Sequence, residues 1–403
     1  MDTLSQTLSD THKDSDRQTG AWGAVLAMSL GAFALVASEF MPVSLLTPIA
    51  ADLNISEGQA GQAISVSGAF AVLTSLFISC LAKGINRKTL LLVLIGMMIV
   101  SGTVVSLAPN YVIFMLGRAM IGVVIGGFWS MSAAMAMRLV EEHHVPRALA
   151  ILNGGNALAT VIAAPAGSFL GGLIGWRGAF FCVVPVAVIV FVWQFFSLPS
   201  MPSERHQQSA SVFALLARPI VRMGMIAVSL FFMGQFTLFT YVRPFLEDEA
   251  HVDVSTLSLL LLLMGISGFI GTALIGAMLR KSVYPVLIVI PALMAFLAFG
   301  LLMLGKWIVV SAIILAAWGL FATSAPVGWW TWLARTVPQD AEAGGGLIVA
   351  VVQLAITLGA TSGGILFDGV GYQATFAAST FVLVLAALLA FMTMKTGQPT
   401  MTK

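Results

Sequence analysis

Charge is what this 403-residue chain has least of. Asp, Glu, Lys and Arg together make up 9% of it, where a soluble domain carries about 25%. Hydrophobic residues supply 59% and the mean hydropathy is +0.99. No soluble core of this size uses so much apolar surface, so the chain reads as an integral membrane protein. The 19 basic and 17 acidic residues nearly cancel, leaving +2, and no basic patch for nucleic acid follows from that. The two cysteines, Cys80 and Cys182, both lie in apolar runs. They read as small apolar packers and fit neither a disulfide framework nor a metal site. A Walker-type Gly-rich phosphate loop is missing, which excludes ATP as the energy source. Clustered His, Asp and Glu ligands and nucleophile–base pairs are missing from the apolar runs, which speaks against an enzyme. The polar stretch from Met1 to Gly20 lacks the basic start and apolar core of a secretory signal.

What the chain has in abundance is long apolar runs. A membrane-spanning helix needs about 20 mostly apolar residues, and twelve runs qualify: 22–49, 59–82, 88–107, 111–138, 147–174, 178–196, 219–246, 255–279, 284–304, 307–334, 343–370 and 374–395. They are too long, and alternate too little, for barrel strands. The longest polar interval, 197–218, divides the runs into two sets of six. The expected organisation is a tail at 1–21, a helical bundle at 22–196, a linker at 197–218, a second bundle at 219–395 and a tail at 396–403. An even number of spans puts both termini on one side. With that side cytoplasmic, 15 of the 19 Lys and Arg fall in cytoplasmic segments and three outside, with Arg118 inside a span. That bias obeys the positive-inside rule.

The two sets of six share a sequence offset. Ser38-Glu39-Phe40 with Thr47-Pro48 matches Gly234-Gln235-Phe236 with Arg243-Pro244, at 196 residues. Gly167, Leu170, Gly175, Trp176 and Phe180 match Gly363, Leu366, Gly371, Tyr372 and Phe376 at the same offset. Two bundles duplicated around a loop predict a transporter whose halves rock about a shared site.

Particular motifs sharpen this. The run from Ser38 to Ala50, through Met41-Pro42 and Leu46-Thr47-Pro48, resembles the first-helix signature of the major facilitator superfamily's 12-helix proton-coupled exporter branch. Arg118 with Gly122 and Gly126 resembles the family's fourth-helix motif. Ala164-Pro165, Gly167, Gly171-Gly172 and Gly175-Trp176-Arg177 resemble the antiporter motif of its fifth helix, with Ala164 where Gly is usual. More narrowly, the first-helix run through Asp52-Leu53, Ile55-Ser56-Glu57-Gly58 and Gly126-Gly127-Phe128-Trp129 with Met131-Ser132-Ala133 are similar to bacterial purine ribonucleoside efflux pumps. The loop after the second span departs from the family: where Asp is usual it carries Lys83, followed by Gly84 and Arg87, and the related position in the second half is Arg280. Two readings stand there, an altered conformational lock and plain capping of a helix C-terminus by cations.

Ionisable groups at bilayer depth cost about 2.5–3.5 kcal/mol at a helix centre on insertion scales, and two stand out. Glu39 lies roughly 15 Å from the outer end of its helix and Arg118 roughly 10 Å from the outer start of its own, at 1.5 Å per residue. The family fold, as the resemblance implies it, puts both along a central cavity. Desolvation favours a protonated carboxyl and a nearby cation favours the ionised form. The pair therefore reads as a proton-exchange site or as a static ion pair. Asn153, Asn156 and Thr160 share one face of the fifth span, and Gln353, Thr357 and Thr361 one face of the eleventh. With Gln235, the repeat partner of Glu39, these faces read as substrate contacts or as interhelical hydrogen bonds. Trp129 and Trp329 read as a stacking wall for a purine or as part of an interfacial aromatic belt.

The expectation is an all-α membrane protein with twelve spans. It acts as a monomer in the bacterial inner membrane, surrounded by lipid, and exports a small organic solute against protons. No cofactor is expected beyond the proton gradient. The resemblance makes purine ribonucleosides the first substrate class and sugars or drugs the second, with an intramembrane enzyme or a channel as remote alternatives.

Overall fold

A computed structural model describes residues 2–81, 84–202 and 212–397. In hydrocarbon each backbone polar group must find its partner within the protein, which leaves helices for runs this long. The chain is helical almost throughout, with no strand among the described residues. The first half holds α1 (Asp2–Leu53), α2 (Glu57–Leu81), α3 (Arg87–Ser106), α4 (Tyr111–Leu139), α5 (Val145–Phe181) and α6 (Val183–Ser197). After the short α7 (Val212–Leu216) come α8 (Pro219–Phe239), α9 (Val242–Asp248), α10 (Val254–Lys281), α11 (Tyr284–Leu304), α12 (Ile308–Thr336), α13 (Ala341–Val370) and α14 (Tyr372–Gly397).

Eleven described segments are long and apolar enough to cross a membrane, the first of them Ala21–Leu53 within α1. One, Glu142–Ser197, has 56 residues, far more than a hydrocarbon core of about 30 Å takes in one pass. It breaks at Gly175, whose φ of 75° and ψ of 164° are non-helical. That segment is two passes, and the twelve expected spans are present. The seventh pass, expected as one helix over 219–246, is broken between α8 and α9. The cause is local: Pro244 has no N–H to give the Thr240 carbonyl.

The repeat is visible in the backbone. Gly175 and Gly371, 196 residues apart, both turn the chain with positive φ (75° and 100°). Asn54 and His251, 197 apart, do so at 53° and 51°. Within the first half α1 packs on α5 and α6, and α2 on α4. Within the second, α8 packs on α13 and α14, and α10 on α12. The halves meet along α2–α13 and α5–α10, two contacts that the repeat exchanges. Phe40 and Phe236, again 196 apart, stack on each other across this seam, with centroids 5.5 Å apart and planes at 26°.

Each half has its own apolar core, around Phe114, Phe128 and Phe180 in one and Phe231, Trp318 and Phe376 in the other. Lipid is as apolar as leucine, so helix association rests on close packing at small residues. A Cβ on Gly167 of α5 would sit 2.5 Å from Ser44 Oγ of α1, and one on Gly265 of α10 would sit 2.7 Å from the Val161 carbonyl across the seam. Below, the end carrying the chain termini is the terminal end, and the opposite one the far end.

Candidate functional site

Proline inside a helix removes the donor for the carbonyl four residues earlier. α1 has two, Pro42 and Pro48, which strip the helical donor from Ser38 and Ser44. Each freed carbonyl is filled by an arginine. Arg118, fully buried in α4, donates Nη1 to Ser38 O at 2.8 Å, Nη2 to Glu39 O at 2.9 Å and Ser67 Oγ at 3.2 Å, and Nε to Ala63 O at 3.1 Å. Arg243 of α9, equally enclosed, donates Nη1 to Ser44 O across the seam, and Nε to Glu247 Oε1 at 2.9 Å.

The expected meeting of Glu39 and Arg118 therefore takes place at the Glu39 backbone carbonyl. The guanidinium is spent on carbonyls of α1 and α2 and on one hydroxyl. The Glu39 side chain, 4% exposed, accepts instead from Gln353 Nε2 of α13 at 3.1 Å. A buried acid thus meets a neutral amide of the other half. Such a carboxyl can take up and release a proton without leaving a hydrogen bond that joins the halves.

From this point a series of hydrogen bonds joins α2 and α13 towards the far end. The Thr361 hydroxyl has Ser65 Oγ at 2.9 Å and Gln62 Oε1 at 3.2 Å as acceptors for its one proton. Ser65 Oγ donates to Thr357 O at 3.3 Å, while Thr357 Oγ1 donates to Gln353 O of its own helix at 2.8 Å. At the far end Asp368 of α13 accepts from Gly58 N–H at 2.9 Å and Ser56 Oγ at 2.5 Å. One half thus caps the first turn of a helix in the other, where a carboxylate also suits the helix dipole.

The remaining expected site residues are spread more widely. Gln235 is buried in α8, and its Oε1 has no partner, as is true of Gln353 Oε1. Asn153 is exposed and donates to its own helix at Leu149 O, 2.9 Å away. Asn156 is partly buried, and Thr160 donates to Ala157 O at 2.8 Å. Trp129 sits edge-on to Phe128 at 5.5 Å at the margin of the first core. Trp329 is 1% exposed inside the second core, against Trp332 at 5.9 Å. The two tryptophans belong to different halves; the turn of α12 leaves Trp330 outside. Pro165 lies within α5, and Gly167 and Gly171 press on α1 at Ser44 and Leu45. Arg87 opens α3 and donates its N–H to Met201 O at 2.9 Å, while Asn86 caps the helix. Arg280 is exposed near the end of α10. Lys83 lies outside the described residues.

Two residues of this network escape a reading of the sequence: Arg243, which counts there as an outer loop charge, and Asp368, which reads as a polar helix end. The signal for the first is present, since Ser38–Pro42 and Ser44–Pro48 repeat one i, i+4 spacing within α1. The signal for the second is absent, because its partners lie more than 300 residues away.

Comparison with known proteins agrees with this architecture. A family model described as Major Facilitator Superfamily matches residues 28–348. The chain is 60% identical over 394 residues to a protein of Pseudomonas aeruginosa named transcription regulatory protein OpdE, covering 97% of this chain and 98% of that one. It is 43% identical over 368 residues to the purine ribonucleoside efflux pump NepI of Salmonella typhi, covering 91% and 93%. Among solved structures, a bacterial homolog of the human lysosomal transporter Spinster, inward-facing and unoccupied, superposes with a TM-score of 0.74 at 16% identity over 94% of this chain and 97% of that one. The human organic anion transporter MFSD10 gives 0.66 at 15%, over 93% and 99%. The family model, the efflux-pump relatives and the structural neighbours are transporters, and the chain is a multi-pass membrane transporter. By the family model over most of its length, and by two six-pass halves that share one sequence offset, the chain belongs to the Major Facilitator Superfamily.

Proposed function

We propose that the chain is a proton-coupled antiporter that exports small organic solutes, purine ribonucleosides or their analogues first among them. It works as a monomer in the bacterial inner membrane, with both termini cytoplasmic and the far end facing outwards. The proton gradient is its energy source. The observation that carries this reading is the Glu39 carboxyl, buried at the seam and bonded to a neutral amide of the opposite half. Rocking of the halves exposes a group so placed to each side in turn. The substrate class rests on the relatives named as purine ribonucleoside efflux pumps. The unpartnered carboxamide oxygen of Gln235 supports it, since a hydroxyl-rich neutral ligand needs acceptors more than charges. The loop charges support the orientation.

Counterflow in proteoliposomes tests the substrate. Vesicles loaded with unlabelled inosine or adenosine are expected to accumulate labelled inosine, and vesicles loaded with a sugar are not. Equal counterflow with sugars or cationic drugs moves the assignment to sugar or multidrug efflux. No counterflow of any solute contradicts a carrier.

A second reading has its own observation, the 60% identical relative named for transcription regulation. The described chain is a bundle of membrane-spanning helices. A transporter alters transcription by setting the internal level of an effector. On that reading a deletion strain changes transcript levels, and Glu39→Gln protein fails to restore them. Restoration by that variant separates regulation from transport.

A further inference from the structure

We propose that Gln353 is the positioning residue of the proton site, pairing with the Glu39 carboxyl in both of its charge states and so reporting the change from one half to the other. The proposal rests on the reading of Glu39 as that site. An ionised carboxylate only accepts, and Gln353 Nε2 donates to its Oε1 at 3.1 Å. The carboxamide oxygen of Gln353 then has nothing to accept from. It is buried and without a partner, and a buried acceptor left unmade is costly.

Protonation supplies the missing donor. A proton arriving from the water phase to which the site is open forms an O–H bond on Glu39 Oε2, and no other bond is made or broken. Both amide atoms stand on one carbon, so the Gln353 oxygen lies beside the nitrogen already bonded. The acid and the amide then close a two-point ring: Gln353 Nε2–H to Glu39 Oε1, and Glu39 Oε2–H to Gln353 Oε1. One bond across the seam becomes two, and the orphaned oxygen is satisfied. Loading the proton thus ties α1 to α13, and releasing it loosens them.

The charges around this pair do not compete for it. From the helices packed on α1, the guanidinium that reaches Glu39 is that of Arg118, on its backbone carbonyl. Arg243 of α9 is held by Ser44 O and Glu247. Glu57 of α2, Arg87 and Lys88 of α3, and Arg147 and Arg177 of α5 stand near the helix ends, and α6 carries no acidic or basic residue.

Infrared difference spectra of the reconstituted full-length protein, acid minus alkaline, test this. The wild type is expected to give a protonated carboxyl band that disappears in Glu39→Gln. Gln353→Met, similar in length but without donor or acceptor, should move that band to higher wavenumber, because the carbonyl loses its N–H partner. In the wild type, with 13C-carboxamide glutamine, a side-chain amide band should move to lower wavenumber at the same pH midpoint as the Glu39 band. This second reading needs no folded variant. A Glu39 band unmoved by Gln353→Met, or an amide band that does not follow it, overturns the role of Gln353 and leaves Glu39 as the proton site. A carboxyl band that persists in Glu39→Gln overturns the proton-site reading instead.

Discussion

Two prolines in one helix explain where the buried arginines go. Arg118 stands out in the sequence as a cation inside an apolar span, and Glu39 as its acidic counterpart. Their partners do not, because a side chain's target depends on which carbonyl the fold leaves open. Arg118→Met removes a guanidinium holding four acceptors. The Ser38 carbonyl is the one left without any donor, and at about 1–3 kcal/mol for a buried group left unpaired the detergent-solubilised protein should lose about that much stability, read as a fall in unfolding temperature. Pro42→Ala restores an N–H to Ser38 O, and should recover part of that loss in the double variant although it touches no arginine. A double-mutant cycle is expected to give a coupling of about 1–3 kcal/mol. Strict additivity contradicts the assignment of Ser38 O as the carbonyl that Pro42 frees.

Helices and turns were more legible than contacts. Hydropathy alone gives twelve spans, because hydrocarbon admits few alternatives, and the offset of 196 predicts related turns at Gly175 and Gly371 that the backbone shows. The break between α8 and α9 was hidden, since apolar content runs through it unchanged while Pro244 interrupts the hydrogen bonding. Pro48, its repeat partner, lies within a continuous α1, and Arg243 fills the carbonyl that it frees. Gly175, at φ 75° and ψ 164°, adopts a conformation open to glycine and costly for other residues, about 1–3 kcal/mol. No atom crowds the Cβ position there, so backbone strain alone acts on Gly175→Ala. That variant should lower stability by about that amount in thermal unfolding. Alanine at Gly346, helical and also uncrowded, should not. Equal behaviour of the two contradicts a strained turn.

At the scale of the molecule Arg243 on the Ser44 carbonyl and Asp368 on the first turn of α2 tie the halves together towards the far end. Neither was legible, because which helices face one another across the seam is a property of the assembled halves. Spin labels at Leu107→Cys and Lys306→Cys, both exposed at the far end, in a background with Cys80 and Cys182 replaced by serine, measure that gap. Arg243→Met and Asp368→Ala should each raise the long-distance population relative to wild type; an unchanged distribution in both removes them as a latch. On the function proposed above, proton exchange at Glu39 drives solute across the membrane. The most direct measurement compares wild type and Glu39→Gln in one set of proteoliposomes, with labelled nucleoside moved by an imposed pH gradient and, separately, by counterflow without one. The variant is expected to keep counterflow and to lose the gradient-driven component. Gradient-driven transport at the wild-type rate in Glu39→Gln contradicts it.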